Sequence, residues 1–450
     1  MIAPGRFVLA AVLLFGAAFA IVTPPFQVPD EPAHFYRAYR MSEGRLDLLP
    51  TSGRVGAPLP VSVHRIGDLF GPLTFHPERK TSPRAILAAL RIPLAPERRE
   101  LVFFPNSLQY TFVPYIPQAI GVAAGRLLGA PPLALLYLAR LANLLCGALA
   151  VAFAVRRLPA FAWLAAMVAL TPMCLSLFAS ASVDVTTIAS SFLLVSTVAR
   201  LAWGRERAAR GDLLLLAAAS AVLCASKPPY LPLALLVLLI PVARFPRGRR
   251  AGFLPIHFGL SLLAASWPLA ISRVMRYGRL EAGVDAGRQI HDSLLHPFHL
   301  LRLVIEDYAV HALRYLSQIV GRLGWLDTQL PAPLLAAYLA VLLALVFLDA
   351  SPRVEVRLWQ RGIAAGAVLV GMILISAAEY AIWTPYGADY IEGVQGRYFL
   401  PLVLPASWIF HRRSWAGRIG PRRLGMALGA FSVLSWGIAL RALVGRYYGV

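Results

Sequence analysis

Apolar runs long enough to cross the roughly 30 Å hydrocarbon layer of a bilayer recur from one end of this chain to the other. They lie near residues 6–22, 132–155, 160–179, 183–203, 228–244, 252–272, 331–349, 361–383 and 424–444, with weaker ones near 108–128, 211–225 and 397–411. A chain of 450 residues with 58% hydrophobic and 14% charged residues and a mean hydropathy of +0.65 is too apolar for an ordinary soluble fold. The expected fold class is an all-α polytopic membrane protein: one integral membrane domain over residues 1–450 with about eleven or twelve spans.

The first run lacks a small-residue cleavage site and is read as a retained span. The net charge of +21 does not point to nucleic acid, because the basic residues fall in short clusters between apolar runs. Placing those clusters in the cytoplasm sets the N-terminus inside and the loop over 23–105 outside, with further external connections around Asp184, around Lys227, over 275–330 and over 385–397. A membrane location is expected, with the N-terminus cytoplasmic and the first long loop external. Arg156 and Arg157 obey the same rule only if 108–128 or 132–155 crosses incompletely, and Pro114, Pro117 and Arg126 make 108–128 the weaker segment. Cys146, Cys174 and Cys224 lie in apolar runs without paired spacing, as small packing residues would.

The first external loop opens on "TPPFQVPDEPAHFYRAYRMSEG". A helix is expected from Glu31 to Glu43, with Asp30 at the N-cap, Pro32 in the first turn and Gly44 at the stop. A second short helix is expected near Pro83 to Leu90, within an irregular stretch rich in Pro, Gly and Ser.

Helical spacing brings Asp30, Glu31 and His34 toward one face at the membrane surface, where a carboxylate and an imidazole can accept a proton. Capping and dipole compensation account for the same residues without chemistry. Lys227, in "CASKPPYLP", can bind a lipid phosphate as a point charge or simply snorkel at a helix end. The 43 basic residues are all arginine except Lys80 and Lys227, so a lysine needed only for its charge is unexpected. Arg397, in "IEGVQGRYFLP", can grip phosphate oxygens bidentately beside Gln395, where two glycines let a ligand approach the backbone. Asp184 opens an apolar run as a cap or a cavity residue, and Glu379 is a carboxylate inside one. Asn106, Gln109 and Tyr110, in "FFPNSLQY", suit hydrogen bonding to a sugar or headgroup.

The chain has no G-x-x-x-x-G-K-[ST] phosphate loop, no H-E-x-x-H helix and no G-x-S-x-G elbow, which removes weight from nucleotide-driven transport and zinc hydrolysis. Asp30, Glu31 and Asp184 offer hard oxygen ligands to a divalent cation, but no spacing demands a metal.

Five strings in order, "PPFQVPDEPAHFYRAYRMSEG", "LTPMCLSLFASASVDVTTIASSFLL", "SKPPYLPLALLVLLIP", "GRLGWLDTQLP" and "VQGRYFLPLVLP", resemble the motifs of DUF2142, a bacterial multi-pass family catalogued as a domain of unknown function. That family is in turn similar to the GT-C superfamily of membrane glycosyltransferases. The resemblance implies a GT-C-like helix bundle whose large first external loop carries short juxtamembrane helices. It implies that Asp30 or Glu31, with His34 beside it, is the catalytic carboxylate, and that Lys227 and Arg397 hold the phosphate of a polyprenyl-phosphate-linked sugar. Asn106, Gln109, Tyr110, Asp184, Glu379 and Gln395 would line the cavity. Many GT-C enzymes append a soluble domain after the last span, whereas this sequence stops at Val450 soon after one. Membrane-facing loops, a partner or a lipid acceptor would then supply acceptor recognition.

The expected function is transfer of a sugar from a polyprenyl-phosphate-linked donor to a glycan or lipid acceptor of the cell envelope, on the outer face. The lipid-linked sugar is the donor substrate, and membrane lipids and the acceptor are the expected partners. Two other classes fit the composition. A transporter or flippase of a lipid-linked glycan would use the same cations, with Glu379 or Asp184 carrying a coupling proton. A non-catalytic component of a polysaccharide assembly would need none of these charges individually.

Overall fold

The computed structural model describes residues 3–47, 49–51, 54–204, 206–246, 249–270, 283–415 and 420–449. The end of the expected 252–272 run, residues 275–282 of the second external loop and Val450 lie outside the described residues.

The chain begins with α1 (Pro4–Val22) and then α2 (Glu31–Ser42), which stops at Gly44 in the left-handed region, as expected from "SEG". The rest of the first loop holds a three-stranded antiparallel sheet, β1 (Leu49–Thr51), β2 (Arg54–Pro60) and β3 (Arg99–Phe103), in that order. This region was read as irregular. Val55, Ala57 and Leu59 nevertheless alternate at the strand period, and all three are buried. Between β2 and β3 lie α3 (Val61–Phe70) and the expected short helix α4 (Pro83–Ala89), which Ser82 caps by accepting from Ala85 N at 3.2 Å.

The bundle continues with α5 (Ile116–Leu127), α6 (Pro132–Arg157), α7 (Ala162–Ala169), α8 (Pro172–Phe178) and α9 (Asp184–Trp203). Then come α10 (Arg210–Ser226), α11 (Arg249–Ala265), α12 (Trp267–Ala270), α13 (Ala286–Leu295) and α14 (Pro297–Gly321). The last four are α15 (Ala332–Leu348), α16 (Leu358–Ile382), α17 (Leu400–Phe410) and α18 (Pro421–Tyr448).

Among the described residues five helices are long and apolar enough to cross a membrane: Pro4–Val22, Pro132–Arg157, Asp184–Trp203, Leu358–Ile382 and Arg422–Tyr448. Several other apolar runs are built from shorter pieces, and proline supplies the reason. Pro172 has no N–H to continue α7, so the 160–179 run breaks there; Thr171 caps α8 through Cys174 N, and Trp436 Nε1 donates to the Leu170 carbonyl at 3.0 Å. Pro228, Pro229 and Pro232 turn the start of the 228–244 run into a 3-10 helix, Pro228–Leu239. At 1.5 Å per residue α5 is about 18 Å long, shorter than the hydrocarbon layer is thick. The 25-residue α14 lies in what was expected to be a loop.

One apolar core runs through the bundle, and a second joins the first loop to α5 and α6 through Phe26, Phe35, Tyr39, Ile66, Val122 and Leu136. A buried clamp fixes where that loop begins. Arg140, within α6, donates from Nε and Nη2 to the two Glu31 oxygens at 2.8 and 2.7 Å, and from Nη1 and Nη2 to the carbonyls of Ala20, Thr23 and Pro24. Ala181 N donates to Glu31 Oε1 at 3.0 Å, so the end of α1, the start of α2, α6 and the turn before α9 meet on one ion pair.

Candidate functional site

Beside the clamp the backbone turns sharply. Asp30 occupies the N-cap position of α2 with φ +62°, a conformation uncommon for residues other than glycine, and its side chain makes no capping bond. Its carboxylate accepts from Asn106 Nδ2 at 2.9 Å and lies 3.6 Å from Arg397 Nη2. The capping expectation is therefore corrected: Asp30 holds the cap position with its carboxylate turned elsewhere.

The shared face of Asp30, Glu31 and His34 is corrected as well. Glu31 is wholly buried against Arg140 and has no side-chain exposure left for a substrate. His34 Nδ1 lies 3.0 Å from the Tyr115 hydroxyl, and its ring packs between Tyr110 and Tyr115. Burial pushes its pKa down to about 4, against opposing pulls from Asp30 and Asp184, so the imidazole is neutral near pH 7. Three polar residues within five positions thus have three different sets of partners.

Four charged groups from distant segments meet instead. Asp184, the first residue of α9, receives a hydrogen bond from Lys227 Nζ on Oδ1 at 2.6 Å, while its Oδ2 lies 3.6 Å from Arg397 Nε. Arg397 therefore bridges Asp30 and Asp184, with only 4% of its side chain exposed. Lys227 ends α10, where Pro228 and Pro229 stop the helix, and its ammonium sits 4.3 Å from the centre of the Tyr398 ring. Tyr230 OH donates to the Tyr398 carbonyl at 2.7 Å, tying the proline-rich segment to the 3-10 turn Gly396–Phe399. Gly396 is required by close approach: a Cβ there would meet the Tyr315 carbonyl oxygen of α14 at 2.1 Å. Its N–H donates to Gln318 Oε1 at 2.6 Å, which seats the turn carrying Arg397 on α14.

A cavity of about 940 Å³ adjoins this cluster, large enough for a drug-sized or larger ligand. Gln109, Tyr110, Lys227, Tyr230, Glu379 and Tyr398 supply its polar lining together with the exposed pair Asp285 and Arg288, and Ile290, Leu374, Ile375, Ala378 and Ile382 supply much of its apolar wall. Lys227 belongs to both cluster and cavity, whereas Arg397 is set behind it between the two aspartates. Asn106 orients Asp30 and does not line the cavity, and Gln395 Oε1 is buried without a hydrogen-bond partner among the described residues.

The sequence reading passed over Arg140, although a charge in the middle of an apolar run is itself a signal that a buried counter-ion exists. Tyr115, beside His34, and Tyr398, beside Lys227, come into the site only through the packing of distant segments. Asp30 and Asp184 each face a cation, and among the described residues no three His, Cys, Asp or Glu side chains gather to ligate an ion.

The family model described as a predicted membrane protein, DUF2142, matches residues 13–405. The chain belongs to this family. The DUF2142 match contains Asp30, Asp184, Lys227, Glu379 and Arg397, so the whole charged cluster and its cavity are within the shared region. With its apolar helices, membership establishes a multi-pass membrane protein. The chain is also similar to the crystal structure of ArnT from Cupriavidus metallidurans bound to undecaprenyl phosphate, at 14% identity and a TM-score of 0.40. The match covers 95% of this DUF2142 chain and 62% of the ArnT chain. No curated protein matches the sequence.

Proposed function

We propose that this protein is a membrane glycosyltransferase that takes a sugar from a polyprenyl-phosphate-linked donor. The observation that carries the reading is the meeting of Asp30, Asp184, Lys227 and Arg397, from four separate segments, beside a cavity with a long apolar wall. An isoprenoid chain suits that wall, and the Lys227 ammonium offers its phosphate a point charge. Arg397 neutralises the two aspartates, which would otherwise repel the phosphate.

In the proposed step an acceptor hydroxyl oxygen attacks the anomeric carbon, and the bond from that carbon to the phosphate oxygen breaks. The hydroxyl proton passes to Asp30, and the polyprenyl phosphate leaves with the bonding electrons, stabilised by Lys227. Asn106 and Arg397 hold the Asp30 carboxylate in place, and the Glu31–Arg140 clamp fixes the backbone beside it. A location on the outer face of the inner membrane belongs to the same proposal.

A transporter would share Lys227 and Arg397 but would give Asp30 no chemistry. The strained Asp30 backbone, with the carboxylate turned from the helix N–H groups toward Arg397, favours the enzyme. The test is release of undecaprenyl phosphate from undecaprenyl-phosphate sugars in proteoliposomes supplied with cell-envelope glycans and lipids. Release that disappears in Asp30→Asn supports the reading; undiminished release in that variant contradicts it.

A further inference from the structure

Glu379 is a carboxylate in the apolar C-terminal half of α16, and it lines the cavity without a hydrogen-bond partner for one of its oxygens among the described residues. Its Oε2 is buried with no hydrogen-bond partner among the described residues. Its polar neighbours on α16 are satisfied: Tyr308 OH lies 2.9 Å from Ser376 Oγ, and Tyr380 OH donates to the Ala388 carbonyl at 3.1 Å. Lys227, on the same cavity, is already held by Asp184 and the Tyr398 ring. The chain also crowds one side of the carboxylate. Gly393, at φ +86°, passes so close that a Cβ there would lie 2.6 Å from Oε2, while the cavity borders the residue. Oε2 is closed off against Gly393, so an occupant of the cavity meets the carboxylate on its other side, where it can supply a donor that the described residues do not.

We propose that Glu379 is the subsite that receives the hydroxyl groups of the transferred sugar. This rests on the donor reading above. Of the three parts of a glycosylated lipid phosphate, the isoprenoid chain has no donor and the phosphate is held at Lys227 in the donor reading. Only the hydroxylated head can complete Glu379. Glu379 then acts as the residue that distinguishes a loaded donor from the spent lipid phosphate, which must leave after transfer.

The test is native mass spectrometry of the purified full chain in competition between undecaprenyl phosphate and its glucose, galactose, mannose and N-acetylglucosamine esters. The unaltered protein should prefer at least one ester over the free lipid phosphate by about tenfold or more. Glu379→Gln, which keeps an accepting oxygen, should retain that preference within about threefold. Glu379→Leu and Glu379→Ala should lose it while still binding undecaprenyl phosphate, and either one suffices if the other does not fold. The proposal is overturned if the unaltered chain prefers no ester, or if Glu379→Leu or Glu379→Ala keeps the preference. Failure of the unaltered chain to bind undecaprenyl phosphate at all overturns the donor reading, and this subsite with it.

Discussion

The Lys227 ammonium sits 2.6 Å from Asp184 Oδ1, in a pair that joins the end of one helix to the start of another. Neither group is free to relax, since both side chains are largely shielded from solvent. Lys227→Ala should therefore both strip Asp184 of its hydrogen-bonded cation, leaving only Arg397 beside it, and remove the charge proposed to hold phosphate. We expect at least about a tenfold loss of polyprenyl-phosphate binding, read by competition with a labelled analogue. Lys227→Arg should recover only part of it, because the planar guanidinium does not reproduce a compact ammonium against Asp184 and the Tyr398 ring. Equal binding in all three proteins would remove Lys227 from the site.

Asp30→Asn keeps the shape of the side chain and its place beside Asn106 and Arg397. Donor binding should survive while turnover falls by about 10²–10⁴-fold, the range for losing a positioned general base. Measuring lipid binding and sugar transfer on the same preparation separates the two. Loss of both together would make Asp30 a structural residue.

Glu31 should behave differently from its neighbour. Removing one member of a buried ion pair costs about 3–5 kcal/mol, so Glu31→Ala should lower the thermal unfolding midpoint in detergent sharply. Glu31→Leu combined with Arg140→Met should be less destabilised than either single change, because no buried charge is left alone. A Glu31→Ala protein as stable as the unaltered chain would contradict the clamp.

His34 carries a pH signature. Its folded pKa of about 4 lies below the ordinary value of 6.5, so the unfolded chain binds the extra proton between those values. The contribution of His34 to stability is thus intact above about pH 6.5 and lost progressively as the pH falls toward 4. His34→Gln should flatten that part of the stability profile relative to the unaltered protein. An identical slope in both would show that the imidazole titrates normally.

Much of the site was legible because it is written in local exceptions. A lysine among arginines, a carboxylate at the end of the first span and a glycine pair around Gln395 each stood out from an apolar, arginine-rich background. Partnerships were not legible, since Glu31–Arg140 and Asp30–Arg397 join residues far apart in the chain, and helical spacing places only near neighbours. The left-handed Asp30 also defeats the spacing argument, because its side chain does not follow the helix that it precedes. Apolar runs located the helices well, but prolines at 172, 228, 229 and 232 divided runs that hydropathy alone reads as continuous. The three-stranded sheet was hidden by its own prolines and glycine, which outweighed the short alternation of Val55, Ala57 and Leu59.

The central claim is a lipid-phosphate site at Lys227, with Arg397 behind it neutralising Asp30 and Asp184, and mass spectrometry of the lipids retained by the purified protein tests it most directly. The account predicts a polyprenyl phosphate or its glycosylated form bound to the unaltered chain and lost from both Lys227→Ala and Arg397→Ala. Bulk phospholipid alone in all three preparations would contradict it.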